Sequence, residues 1–563
     1  MGPRILLMCH KRKVEMKFYS GHVFILLMCC SLINCISFGP ERSQFPFEPI
    51  TDTACGHVKG LRKDGAYSFR GIPYAEPPVG LLRWTPPRPL SKDRGTCWSG
   101  VLNGREFGSP CYQISISNQS TFDGNEDCLY INVWTPTLHK MAQRPVMVWV
   151  HGGSMLNGDA NELMYMPTER LSKETNVVYV GMNYRLHAFG FMALEILSTN
   201  STTGTSGNYG LMDIIEALRW VQNNIRNFGG DPNKVTVFGQ SSGGTAIFAL
   251  LASALSKGLF HQVWLASASP VLNKTAGEAF KDNLIFLNNT GCNDIDCLYR
   301  LSSFQVIAAV PWNVYPYWSM EDLMELPVKG HFDGALVIID GHVLKEAPLE
   351  AWINGHVIDV PMFIGCTAQE ADLAPTINFT AFTWEDYTHT VKKSLGTFSH
   401  HIATTALKLY PPGHISPEYQ YTTMTSDVRI CCGTDYISFV AAQSFLSPIY
   451  RYVITGWPSK PMKLPFQMYA AQYSMHAIEI LGFFGSFGQI LEQLSLSDVK
   501  FQNNIRSEVM SFVLYGHPYT SNWLPYPSSV AELSQSTKVV TAYHPAECTF
   551  WLRNGFFSYS WIN

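Results

Sequence analysis

Gly239-Gln240-Ser241-Ser242-Gly243 sets a serine midway between two glycines at G-x-S-x-G spacing. A serine hydroxyl attacks an ester carbonyl once a neighbouring base takes its proton, so the chemistry on offer is acyl transfer. The flanks support that use. Lys234 to Phe238 reads as a short β-branched strand, and Ile247 to Leu251 continues as an apolar helix. Strand, tight turn and helix is the order of a nucleophile elbow. The new helix would aim its first N–H groups at the spot where negative charge develops. The five-residue pattern is common by itself. The rest of the chain must supply a base, an acid and oxyanion donors.

The elements that would hold such groups are legible. Pro145 to Val150 is an unbroken apolar run, as expected of a central strand covered on both faces, and His151-Gly152-Gly153-Ser154 follows it at once. Asn176 to Val180 is a second such strand. Asp213 to Phe228 has helical spacing through Ile214, Ile215, Leu218, Val221 and Ile225, and it stops at Gly229-Gly230-Asp231-Pro232. Val58 to Gly60 and Ala66 to Phe69 read as small antiparallel strands. Strands alternating with helices predict an α/β fold: a large, mostly parallel twisted sheet with helices on both faces and a small N-terminal antiparallel sheet.

Apolar residues make up 46% of the 563 positions and charged residues 15%, which excludes a disordered chain. With 40 Lys+Arg against 44 Asp+Glu, nothing suggests a nucleic-acid partner. Lys11-Arg12-Lys13 and Lys17 precede an apolar run from Val23 to Ile36, with Ser37 and Gly39 after it. This predicts a secretory signal peptide over residues 1–39, with Met16 as an alternative start, and a single domain over 40–563. No later segment has the length of a membrane span, so no anchor beyond the leader is expected. Export agrees with sequons at Asn118, Asn200, Asn273, Asn288 and Asn378, expected to carry glycans, and it turns the ten cysteines beyond the leader into candidate disulfides. No ligand spacing suggests a metal, and no cofactor is expected.

Several longer motifs stand in order: Gly71-Ile72-Pro73-Tyr74-Ala75-Glu76-Pro77-Pro78-Val79-Gly80, Glu126-Asp127-Cys128-Leu129-Tyr130, Asn183-Tyr184-Arg185-Leu186, Gly207-Asn208-Tyr209-Gly210, Phe228 to Pro232, and the elbow. By these the chain resembles the type-B carboxylesterase/cholinesterase family of α/β-hydrolases from about Thr51 to Phe550. The resemblance implies a Ser-Glu-His triad. Ser241 is the nucleophile. His476, in His476-Ala477-Ile478-Glu479-Ile480, matches the family's H-G-x-E-I base. Glu370, five residues after Gly365, matches its acid, with Asp372 as the rival. The backbone N–H groups of Gly153, Ser154 and Ser242 would form the oxyanion hole, and Ser267 would support the buried acid.

The chain also departs from the family pattern. Ser154 stands where a third glycine is usual, and Ser242 where alanine is usual. Gln240 replaces a glutamate beside the nucleophile, Ala371 replaces a glycine, and the loop from Cys111 to Cys128 has no tryptophan. Loss of that ring and that acid argues against choline esters. The family frame implies the disulfides Cys111–Cys128, Cys292–Cys297 and Cys432–Cys548, with Cys431 able to replace Cys432. Cys55–Cys97 is an added guess, and Cys366 and the spare one of Cys431 and Cys432 have no family partner. The expectation is a secreted serine hydrolase of neutral carboxylic esters. A lipase whose site is covered by the aromatic loop Trp312 to Met324 is one alternative. A weakly active or non-catalytic binding protein, like the family's neuroligin-like adhesion members, is the other. By family analogy a C-terminal helical pair could form a homodimer.

Overall fold

The structure is a computed structural model that describes residues 48–115, 121–312, 324–331, 334–373 and 378–562. The expected signal peptide, Asn118 and positions 313–323 of the aromatic loop lie outside the described residues. Glu48–Asn563 forms one compact unit.

The frame is an eleven-stranded sheet. In chain order its strands are β1 (Leu61–Lys63), β2 (Ala66–Pro73), β3 (Tyr130–Thr135), β4 (Arg144–Val150), β5 (Val178–Met182), β6 (Gly230–Gln240), β7 (Gln262–Ala266), β8 (Met362–Thr367), β9 (Ile449–Ile454), β10 (Val530–Leu533) and β11 (Thr537–Val540). Across the sheet they run β11-β10-β9-β8-β7-β6-β4-β5-β3-β2-β1. Every pair from β5 to β10 is parallel, and the outer pairs are antiparallel. The parallel centre is buried on both faces, which is why Val146 to Val150 and Val178 to Met182 are unbroken apolar runs. Along β6 the side chains alternate between two cores. Val237 joins Val148, Ala246 and Leu250 on one face. Phe238 joins Trp149, Trp264 and Phe483 on the other.

Two strand assignments differ from expectation. Ala66 to Phe69 is part of an eight-residue strand of the main sheet, because Tyr67, Ser68 and Phe69 pair with Thr135, Trp134 and Val133. The small sheet is Ile50–Asp52, His57–Lys59 and Val101–Asn103, and its last strand pairs in parallel. The family motifs supply buried struts. Arg185 grips Asp213 with two bonds of 2.8 and 2.7 Å, and Arg83 grips Glu126 at 2.7 and 2.6 Å.

The helices that matter for the site are α1 (Tyr209–Asn224), α2 (Ser242–Leu251), α3 (Ile478–Phe484), α4 (Leu496–Tyr515) and α5 (Pro545–Arg553). All ten residues of α2 are buried. Five disulfides staple the frame: Cys55–Cys97, Cys111–Cys128, Cys292–Cys297, Cys366–Cys431 and Cys432–Cys548. Cys366 pairs with Cys431, the two cysteines for which the family frame offered no partner once Cys432 is bonded to Cys548. Adjacent cysteines on one helical turn reach in opposite directions, Cys431 to the end of β8 and Cys432 to α5.

Candidate active site

The elbow between β6 and α2 carries its strain on Ser241, at φ 58° and ψ −130°. A side chain with Cβ is rarely held there. The turn is fixed by Ser241 N–H donating to the Ala266 carbonyl at 2.9 Å and by Thr245 N–H donating to the Ser241 carbonyl at 2.9 Å. The flanking glycines serve close approach. A Cβ on Gly243 would sit 2.1 Å from the Val150 carbonyl oxygen, and one on Gly239 would sit 2.5 Å from the Gly243 backbone. Ser241 is 5% exposed at the carboxyl edge of the parallel strands.

Glu370 follows the end of β8 and is 2% exposed. One carboxylate oxygen, Oε1, accepts from Ser267 Oγ at 2.6 Å and from Thr367 N–H at 2.7 Å. The other, Oε2, bonds Nδ1 of His476. Ser267 sits just past β7 at φ 52°, a strained position that turns its hydroxyl to the acid. Asp372 faces elsewhere. Its Oδ2 accepts from the N–H groups of Gln472 and Tyr473 at 2.7 and 2.8 Å, so it shapes the loop that leads to His476. Burial pushes the Asp372 carboxyl well above the usual carboxylate range.

His476 is 4% exposed. Its Nε2 lies 2.8 Å from the side-chain nitrogen of Gln240, the residue before Ser241. An amide nitrogen donates, so Nε2 accepts and the ring proton belongs on Nδ1, facing Glu370. That is the tautomer a base toward Ser241 needs. Trp561 packs against the same imidazole, ring centres 4.5 Å apart and planes at 52°. One turn on, Glu479 is fully buried, and burial followed by the charge of Glu370 drives its pKa well above normal.

The loop after β4 crosses in front of the elbow. Gly153, Ser154 and Met155 have φ of 105°, 54° and 58° in succession. A Cβ on Gly153 would lie 2.1 Å from the Asn157 carbonyl oxygen. Ser242 braces this loop, because its Oγ accepts from Met155 N–H at 3.0 Å. Tyr184 Oη donates to the His151 carbonyl at 2.8 Å, and its ring stacks on the His151 imidazole at 4.3 Å. Burial pushes His151 down to about 4, so it is neutral at pH 7.

The structure therefore gathers Gln240-Ser241, Glu370, His476 and the 151–155 loop at one edge of the sheet. The brace at Ser242, the contact from Gln240 and the packing of Trp561 were not expected. A serine in place of alanine and a glutamine in place of glutamate were visible in the sequence, but their partners were not. Nothing in the sequence marked Trp561. Asn200, Asn273, Asn288 and Asn378 are exposed. Among the described residues no helix is long and apolar enough to cross a membrane, and no group of three His, Cys, Asp or Glu side chains could hold a metal ion.

Comparison with known proteins follows this geometry. A carboxylesterase family model matches residues 48–551. Para-nitrobenzyl esterase of Bacillus subtilis (strain 168) is 32% identical over 497 residues, spanning 86% of this chain and 94% of the relative. Fumonisin B1 esterase of Sphingopyxis macrogoltabida is 31% identical over 490 residues, 83% of this chain and 82% of the relative. Neurotactin of Drosophila melanogaster is 36% identical over 363 residues, 62% of this chain but only 42% of that protein. A solved structure of PNB esterase superposes with a TM-score of 0.71 at 29% identity, covering 90% of this chain and all of that one. The chain belongs to the carboxylesterase family of carboxylic ester hydrolases.

Proposed function

We propose that the protein hydrolyses neutral carboxylic esters through an acyl-enzyme on Ser241. The reading rests on one arrangement: a buried carboxylate, Glu370, holds Nδ1 of His476, and Nε2 of that imidazole meets the residue adjoining Ser241. In this reading Ser241 Oγ displaces Gln240 at Nε2, gives its proton to His476 and attacks the ester carbonyl. The Glu370 carboxylate stabilises the imidazolium. The N–H groups of Gly153, Ser154 and Ser242 receive the oxyanion, and losing one such donor costs about 100-fold in rate or more. His476 then protonates the leaving alcohol. A water molecule, activated by the same imidazole, releases the acid.

Two features favour an uncharged substrate. Gln240 puts an amide where a carboxylate would attract a cation, and His151, held neutral, adds no charge to the oxyanion loop. The five disulfides support work in an oxidising, extracellular setting, since cytosolic thiols stay reduced.

Hydrolysis of a short-acyl p-nitrophenyl ester by the protein and by Ser241→Ala tests the reading. Turnover with a burst that disappears in the variant is the expected result. Background rates from both folded proteins would overturn it and leave a binding role.

A further inference from the structure

Trp561 reaches the base from a part of the chain that the family model does not include, ten residues beyond its last matched position. The route is well held. Cys432–Cys548 ties α5 to the helix that carries Arg429, and Phe556–Tyr559 forms a turn after it. Trp561 N–H donates to the Arg429 carbonyl at 2.7 Å, Ser269 Oγ donates to the Trp561 carbonyl, and Arg429 Nη1 donates to the Tyr559 carbonyl at 3.0 Å. The ring belongs to a buried apolar cluster with Ile430, Cys431, Val453 and Tyr543. It meets the His476 imidazole at 4.5 Å. Trp561 is 2% exposed, and its indole N–H is buried with no partner among the described residues. An unpaired buried donor is costly, and a smaller aromatic ring would avoid that cost. What the indole adds is the strongest π face for a neighbouring cation.

We infer that Trp561 is a positioning residue for the base: it fixes the imidazole of His476 between Glu370 and Ser241 and stabilises the imidazolium that forms during acylation. The inference rests on His476 acting as the base. Three groups from distant segments then set this ring. Glu370 bonds Nδ1, Gln240 bonds Nε2, and Trp561 packs on the ring itself. The imidazolium forms in acylation and again in deacylation, so losing the aromatic contribution slows both steps alike, lowering kcat and leaving KM alone.

The test compares Trp561→Phe and Trp561→Leu in the full chain, with a short-acyl p-nitrophenyl ester and thermal unfolding. Leucine keeps apolar bulk and loses the π face; phenylalanine keeps a face. The expected result is a kcat lower by about tenfold for Leu with KM within about twofold, and a Phe variant that recovers to within about threefold of wild type. Equal losses for Phe and Leu, or no loss for Leu, would overturn the inference. Should Trp561→Leu fail to fold, Ser269→Ala releases the Trp561 carbonyl and leaves the ring in its core. A kcat lower by about threefold at unchanged KM is then expected, and an unchanged kcat overturns the role. Ser241→Ala runs alongside. Activity that survives in Ser241→Ala removes the base reading itself, whereas an inactive Ser241→Ala beside a fully active Trp561→Leu removes only the role of Trp561.

Discussion

The side-chain nitrogen of Gln240 lies 2.8 Å from Nε2 of His476, although 236 positions separate the two residues. In the proposed mechanism the hydroxyl of Ser241 reaches the same lone pair before it loses its proton, so Gln240 and Ser241 take turns at one acceptor. In the same reading the amide sets the charge that the site presents to an alcohol group bound beside the base.

Gln240→Glu should therefore change selectivity. Even when fully screened by water, a carboxylate about 4 Å from a bound cation is worth about 1 kcal/mol, or about fivefold. The ratio of kcat/KM for a choline ester to that for its neutral carbon isostere should rise by about that factor. An unchanged ratio would mean that position 240 does not face the substrate.

Ser267→Ala should weaken the acid. Ser267 donates to Glu370 at 2.6 Å, and a hydrogen bond to a charged group contributes about 1.5–3 kcal/mol. A loss of kcat/KM of about tenfold or more, with the disulfides intact, is the expected outcome in steady-state assays. The backbone there has φ 52°, so alanine inherits the strain and the effect isolates the hydroxyl.

The oxyanion loop should separate two neighbouring substitutions. Gly153→Ala forces a Cβ to 2.1 Å from the Asn157 oxygen and should cut kcat by about 100-fold or more. Ser154→Gly keeps the N–H and relieves a left-handed residue at φ 54°, strain of about 1 kcal/mol. It should leave kcat within about threefold and the melting temperature no lower than wild type. Calorimetry together with kcat measured on both variants would show this divergence or refute it.

His544 predicts a pH-dependent strut. Its Nδ1 lies 2.6 Å from Asp427 Oδ2. Burial opposes the charged ring, but the carboxylate outweighs burial and raises the His544 pKa above its ordinary 6.5. A pKa raised in the folded state stabilises fully below the unfolded value and is lost as pH rises through the folded one. Urea unfolding should therefore show the gap between wild type and His544→Gln widest at pH 6 and narrower at pH 8.5. A gap that widens toward alkaline pH would reverse the sign and refute the pairing.

Removing the Cys366–Cys431 bridge by paired serine substitutions should cost about 2–4 kcal/mol of stability. The bridge joins positions 65 apart, from the strand leading to Glu370 to the segment that receives Trp561. Denaturant midpoints for the double variant would measure it.

The sequence by itself determined the family, the α/β sheet and the candidate triad. Those depend on short-range physics. Gly239 and Gly243 are demanded by backbone contacts within a few ångströms of the elbow, and apolar runs such as Val146 to Val150 follow from burial on both faces of a parallel centre. The spacing from Gly365 to Glu370 belongs to one strand end, and so was readable too. Tertiary structure alone decided the partners that complete the site. Ser242 braces Met155, Gln240 meets His476, and Cys366 finds Cys431 because loops and helices that follow separate strands meet only in the folded chain. Trp561 is the extreme case. Its role arises only because Arg429 and Ser269 hold the last turn of the chain against the imidazole, and no local pattern of residues encodes a contact made by such distant clamps.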